Sequence, residues 1–212
     1  MKNNVSFKSQ IHIMTAKEFR KIATNNTINF INSGKQKNII KSDNFCTYGI
    51  KTCTGGGLIN KLQQEAVGFH LWDCLSSNDL DNYLKIIKNS LKNVSNGLII
   101  GSKNLIDSKF SIKNFQKTHA QLKEICPEIS YFKTFTDDFG SANFKYLANE
   151  DTWYILLQKT SPNTTNNRVQ SITTLRELKN FFKEIYIAPT DTLIINGTKI
   201  QRSKAIKIKK RN

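Results

Sequence analysis

The chain has 212 residues, of which 38% are hydrophobic, and it contains 13 Phe, 10 Gly and 3 Pro. This length fits one large domain, or one domain with an appendage, and the composition excludes collagen-like and disordered chains. The 32 Lys and Arg exceed the 16 Asp and Glu, so the net charge is +16. Such a charge predicts attraction to nucleic acid, anionic lipid or an acidic protein, although coding bias in an AT-rich genome would also enrich Lys, Asn and Ile.

No stretch of the sequence resembles a cleavable signal or a membrane span. After Met1 the chain continues with mostly polar residues, and no run approaches the roughly 18 apolar residues of a transmembrane helix. We therefore expect the four cysteines to be free thiols in a reducing compartment. None of them belongs to a CxxC pair, so neither a zinc site nor another metal site is expected.

Helix and strand signals alternate irregularly along the chain. A capping-box pattern at Thr15 and Glu18 predicts a short helix near the start. Apolar residues spaced three and four apart predict later helices at 77–91, 111–125 and 174–185. Strands are predicted at 44–54, 66–74, 97–101, 131–135 and 152–157, with an Asn196-Gly197 turn in a late hairpin. The order, with no helix between the strands at 44–54 and 66–74, predicts an α+β fold with a mixed sheet.

A domain boundary is predicted near residue 160. The segment Ser161-Pro162-Asn163-Thr164-Thr165-Asn166-Asn167 has the composition of a linker. It would separate a domain of residues 1–160 from a basic C-terminal extension of residues 161–212. Residues 204–211 alternate basic and apolar side chains, which predicts either a frayed edge strand or a basic tail that binds an acidic partner.

The most informative stretch runs from residue 46 to residue 73, CTYGIKTCTGGGLINKLQQEAVGFHLWD. A thiol is a strong nucleophile as the thiolate, so Cys53 would need an imidazole nearby to accept its proton. His70 is the candidate, because two adjacent antiparallel strands would bring it close to Cys53. Small residues after a nucleophile let backbone N–H groups approach a substrate carbonyl, so Thr54, Gly55 and Gly56 are candidate oxyanion donors.

On these residues alone, a purely structural explanation stays open. A single cysteine is commonly a small buried hydrophobic residue, and a histidine flanked by Phe and Leu is commonly a core residue with satisfied hydrogen bonds. The other cysteines, Cys46, Cys74 and Cys126, are assigned to the core on the same ground. The other histidines, His12 and His119, are assigned to surface or helix positions.

The spacing of these residues resembles that of the CheD family of chemotaxis receptor deamidases. Thr47 lies six residues before Cys53, and His70 lies seventeen residues after it, as in that family. Further along, Ile100-Gly101-Ser102-Lys103-Asn104 is similar to the family's apolar strand that ends in Ile-Gly-x-x-Asn. Asp138-Phe139-Gly140-Ser141 is similar to its Asp-x-Gly-Gly turn, with a serine in place of the last glycine.

The resemblance, which covers roughly residues 40–158, implies a fold, a reaction and roles for the site residues. The same Cys–His architecture occurs in cytotoxic necrotizing factors and in a family of N-terminal asparagine amidohydrolases. It implies two packed mixed β-sheets with helices outside, layered α/β/β/α. It also implies hydrolysis of a Gln or Asn side-chain amide in a target protein, without metal or cofactor. Cys53 would be the nucleophile, His70 the acid and base, and Thr47 the residue that orients His70.

Two other functions fit the same sequence. A transglutaminase would use an amine in place of water at the thioester, and a basic binding module would keep the fold without catalysis. No RRM, helix-turn-helix or zinc-finger pattern is present, so a nucleic-acid partner is not expected. We expect the protein to act in the cytoplasm of its own cell or, as a bacterial effector secreted without a cleavable signal, in a host cell. The extension would then recognise an acidic target protein.

Overall fold

The computed structural model describes residues 8–22, 28–32, 38–103, 109–136, 140–160, 169–200 and 206–209. The helices are α1 (Ala16–Lys21), α2 (Ser77–Ser90), α3 (Lys109–Lys123) and α4 (Leu175–Phe181). The strands are β1 (Ser9–Ile13), β2 (Asn29–Phe30), β3 (Ile39–Lys41), β4 (Asn44–Ile50), β5 (Thr54–Asn60), β6 (Glu65–Leu71), β7 (Asn96–Lys103), β8 (Ser130–Phe135), β9 (Ser141–Leu147), β10 (Thr152–Thr160), β11 (Val169–Ser171), β12 (Phe182–Ile187), β13 (Asp191–Ile195), β14 (Thr198–Lys199) and β15 (Ile206–Lys209). Within these ranges no helix has both the length and the apolar character that crossing a membrane requires.

The strands form two sheets. Sheet A has the order β14-β13-β1-β10-β9-β4-β2, with β11 paired to β10, and sheet B has the order β15-β12-β8-β7-β5-β6-β3. Sheet A contains the parallel pair β1 and β13 beside the antiparallel pair β9 and β10. Sheet B contains the parallel pair β7 and β8 beside the antiparallel pair β5 and β6. Both sheets are therefore mixed, and the predicted α+β class is confirmed.

Three apolar clusters define the layers. One cluster lies between the sheets and includes Phe45 and Trp153. A second joins sheet B to α2 and α3 through residues such as Leu84 and Phe115, and a third joins sheet A to α1 through Phe19. The order is helix, sheet, sheet, helix, which confirms the predicted α/β/β/α layering. Each fully buried Leu, Ile or Phe contributes roughly 1.5–3 kcal/mol, so the cluster between the sheets is a main source of stability.

Local signals account for the helix starts but not for every helix end. At α1 the Glu18 N–H donates to the Thr15 hydroxyl at 3.2 Å, and the Thr15 N–H donates to the Glu18 carboxylate at 2.9 Å, which completes the predicted capping box. The helix predicted at 174–185 ends at Phe181, because β12 pairs with β8 from there. Tertiary pairing overrides the helical spacing of this segment.

The three glycines after Thr54 lie within β5, so the strand end predicted at residue 54 is wrong. A Cβ atom on Gly57 would lie 2.8 Å from the Phe45 ring and 2.9 Å from the Trp153 ring. Gly68, directly opposite in β6, would place a Cβ 2.5 Å from the same Phe45 ring. Glycine is unfavourable in strands by propensity, but here it lets the aromatic side chains of sheet A pack against the backbone of sheet B.

The strands after residue 160 belong to the same two sheets. β13 pairs with β1 in sheet A, and β12 pairs with β8 in sheet B. Their side chains, such as Phe182 and Leu193, lie in the cluster between the sheets. Residues 169–200 are therefore not a separate extension, and 206–209 form an edge strand of sheet B. The predicted linker at residues 161–167 lies outside the described residues.

Candidate active site

Cys53 lies in the bend at residues 51–53, between β4 and β5, and it is half-buried. The end of β7 packs against it, since the Ser102 N–H donates to the Cys53 carbonyl at 3.2 Å. Gly101 allows this approach, because a Cβ there would lie 2.2 Å from the same carbonyl oxygen and its φ of +145° is unusual for other residues. Gly101, which contributed to the family resemblance, therefore lies directly against the backbone of the nucleophile candidate.

His70 lies on β6 and is 2% exposed. It pairs directly with Gly55 of β5, and Cys53 lies two residues before Gly55. Cys53 itself lies outside this pairing, which begins at Thr54 and Leu71. Among the described residues, no hydrogen bond joins the Cys53 sulfur to His70 Nε2. β6, which carries His70, pairs antiparallel with β5, which begins directly after Cys53. The strand predicted at 44–54 is wrong in its bounds, because β4 ends at Ile50 in sheet A and Cys53 lies in the bend before β5 of sheet B.

Thr47 reaches His70 from the other sheet. Its Oγ1 is 2.7 Å from His70 Nδ1, and it also donates to the Ile31 carbonyl at 3.0 Å. A hydroxyl has one proton, so a Thr47 hydroxyl that donates to Ile31 must accept a hydrogen bond from His70 Nδ1–H. The proton is then on Nδ1, and Nε2 has the free lone pair that a general base requires.

The electrostatic environment keeps the Cys53 thiol and the His70 imidazole neutral. Burial lowers the pKa of His70 to about 4, and its Nε2 has no hydrogen-bond partner among the described residues. Burial also raises the pKa of the Cys53 thiol to about 11, and the Asp73 carboxylate adds to the rise. The Asp73 backbone and the Thr52 side chain partly oppose this rise in the pKa of the thiol. The resting site therefore contains a thiol and a neutral imidazole rather than an ion pair.

The predicted oxyanion donors lie in the middle of a sheet, where their N–H groups are not free to bind a substrate. Thr54, Gly55 and Gly56 are buried in β5, which pairs with β6 on one side and β7 on the other. Ladder hydrogen bonds on both sides use the N–H groups of a central strand, so these residues do not form a free turn. The Cys53 N–H precedes the paired part of β5.

The other cysteines and histidines lie outside this arrangement. Cys46 and Cys126 are buried as predicted, and burial raises the pKa of both thiols, that of Cys126 to about 12. Cys74 is exposed, so its assignment to the core is wrong. His12 lies on β1 and His119 on α3, and both are partly buried. In the described part of the chain, no group of three or more His, Cys, Asp or Glu side chains is arranged to hold a metal ion.

A cavity of about 350 Å³ lies at the far end of β5 from Cys53. It is lined by Ile59, Lys61, Leu62, Gln64, Tyr146, Ala148 and Asp151. Lys61 and Asp151 form an ion pair across it, with 2.8 Å between nitrogen and oxygen. None of the predicted site residues lines this cavity, so it does not bear on the assignment of Cys53 and His70.

Comparison with known proteins leaves the site to be judged on its geometry. No protein-family model matches the chain, and no curated protein matches it. The resemblance to CheD-like deamidases therefore rests on the spacing of Thr47, Cys53 and His70 and on the order of elements around them.

Proposed function

We propose that the protein is a cysteine-dependent amidohydrolase that deamidates a glutamine, or an asparagine, of a target protein. The observation that carries the proposal is the hydrogen-bond chain from His70 Nδ1 through the Thr47 hydroxyl to the Ile31 carbonyl. This chain fixes the imidazole in the tautomer whose Nε2 accepts protons, on the strand next to the one that follows Cys53. A core histidine with a purely structural role would be expected to use both of its ring nitrogens in hydrogen bonds.

The chemistry proceeds in two steps. His70 Nε2 takes the thiol proton as the Cys53 sulfur attacks the side-chain carboxamide carbon, and the carbonyl oxygen gains the negative charge. The imidazolium then gives its proton to the departing nitrogen, so ammonia leaves and a thioester forms. Water next attacks the thioester while His70 accepts a proton from it. The sulfur leaves, recovers that proton, and the target retains a carboxylic acid.

The neutral resting pair fits this use of His70 as a general base. With a thiol pKa of about 11 and an imidazole pKa of about 4, proton transfer before attack is unfavourable. It becomes favourable when the sulfur bonds to carbon and loses its proton in the same step. The Thr47 hydroxyl holds the ring and remains an acceptor for Nδ1–H while the imidazolium exists.

The net charge of +16 favours a target with an acidic surface. Opposite charge raises the rate of encounter, and the rise diminishes as salt screens the field. The target can be in the producing cell or in a host cell, and identification of the modified protein would distinguish these settings.

The test compares purified wild-type protein with Cys53→Ala in a cell lysate, using mass spectrometry to find Gln-to-Glu and Asn-to-Asp changes. Cys74→Ala is the matched control, because it removes an exposed thiol from the neighbouring turn. Changes made by wild type and Cys74→Ala but not by Cys53→Ala are the expected result. Changes that persist in Cys53→Ala would refute the assignment of the nucleophile. Amine incorporation in place of hydrolysis would show transglutamination, and salt-sensitive binding without any modification would support a basic binding module.

A further inference from the structure

The inner face of α3 is unusually polar for a helix packed against a sheet. Ser111 and Thr118 are fully buried and Asn114 is 8% exposed, beside the buried apolar residues Phe115 and Leu122. Buried hydroxyl and amide groups are unfavourable unless they form hydrogen bonds. The partners of Ser111 and Asn114 are therefore informative, and both lie in the segments around Cys53.

Ser111 fixes the residue before Cys53. Its hydroxyl donates to the Thr52 carbonyl at 2.5 Å and accepts the Lys103 N–H at 3.0 Å. Together with the bond from Ser102 to Cys53, these contacts join the 51–53 bend to the end of β7 and to the first turn of α3.

Asn114 fixes the turn on the opposite side of the sulfur. Its Nδ2 donates to the Asp73 carbonyl at 2.9 Å. Asp73 lies beside the Cys53 thiol, since its backbone lowers the pKa of the thiol and its carboxylate raises it. One helix thus holds both chain segments that meet at the thiol.

We propose that Ser111 and Asn114 are positioning residues that set the location and reactivity of the Cys53 sulfur. Their role in catalysis rests on the function proposed above, but their effect on the reactivity of the thiol does not. Without the Asn114 amide, the 73–74 turn beside the thiol loses its anchor. Without the Ser111 hydroxyl, the half-buried Thr52 carbonyl loses that donor and the bend is free to shift.

The first measurement is the rate at which iodoacetamide alkylates Cys53, followed by peptide mass spectrometry from pH 6 to 11 in a Cys74→Ala background. We expect Ser111→Ala and Asn114→Ala to lower the rate at pH 8 by about tenfold, as a rise of about one unit in thiol pKa would. Ser111→Thr keeps the hydroxyl and should restore the rate. Thr118 lies on the same buried face, and its hydroxyl has no hydrogen-bond partner within the described ranges, so Thr118→Val should leave the rate unchanged.

The second measurement is deamidation of the identified target. Both alanine variants should lower kcat by about tenfold or more with little change in KM, because small misplacements of a nucleophile are costly. Unchanged alkylation in folded Ser111→Ala and Asn114→Ala would overturn the inference, as would an equal loss in Thr118→Val. Altered alkylation with no deamidation by wild type would refute the proposed function and leave the positioning of the thiol intact. If one alanine variant fails to fold, the other tests the same prediction.

Discussion

Replacement of Thr47 by Val should destabilise the fold as well as disable the site. Valine has nearly the same shape, so the change removes the hydroxyl and little else. The Ile31 carbonyl and the His70 Nδ1–H then lose their shared partner in a fully buried position. An unsatisfied buried polar group costs about 1–3 kcal/mol, so two such groups with partial relaxation give an expected loss of about 2–4 kcal/mol.

Urea unfolding at pH 7, followed by circular dichroism, would measure this loss as a lower midpoint with an unchanged slope. Thr118→Val is the matched control, because Thr118 is equally buried and its hydroxyl has no partner among the described residues. That variant should be as stable as wild type or slightly more stable. If the two variants differed by less than about 0.5 kcal/mol, the limit of ordinary surface effects, the hydrogen-bond chain at His70 would not stabilise the fold as argued.

Three other experiments have defined outcomes. Gly57→Ala should lower the free energy of unfolding by about 1–3 kcal/mol in the same urea assay, because the added methyl overlaps the Phe45 and Trp153 rings. The pKa of His70 is lowered to about 4 in the folded state, so the unfolded state binds more protons below pH 6.5 and wild type should lose stability as the pH falls. Relative to His70→Gln, that loss should reach about 3 kcal/mol by pH 4, and parallel pH profiles would contradict it. Alkylation of wild-type Cys53 should keep rising toward pH 11, whereas a plateau near neutrality would reveal a preformed thiolate–imidazolium pair.

The sequence predicts those elements whose signals are local. The capping box at Thr15, the helical spacing from Leu80 to Ile87 and the Asn196-Gly197 turn each depend on a few neighbouring residues, and each is present. The run of three glycines lies inside a strand, contrary to its low strand propensity, because it allows aromatic rings of the other sheet to approach the backbone. The domain boundary predicted near residue 160 is wrong because β13 pairs with β1, and this contact between distant parts of the chain has no local sequence signal.

The candidate site also has some residues that the sequence could predict and others that it could not. The sequence predicts antiparallel strands near Cys53 and His70, and the structure pairs β6, which carries His70, with β5, which follows Cys53. The contributions of Ile31, Ser111 and Asn114 could not be predicted, because a backbone carbonyl has no sequence signature and a polar residue on an amphipathic helix is normally placed in solvent. The only available signal was a Ser and an Asn spaced three residues apart on α3. This signal becomes informative only once the structure shows that both side chains are buried.

The position of β1 in sheet A also constrains when the protein can fold during synthesis. Ile11 pairs with Trp153 on one side and with Leu193 on the other, so the first strand stays incomplete until the ribosome has added β13. The contact between Thr47 and His70 crosses from sheet A to sheet B and needs both sheets packed together. Topologies dominated by such distant pairings fold slowly. The nascent chain is therefore expected to lack the assembled candidate site, and to depend on protection from aggregation, until nearly all of its strands have emerged.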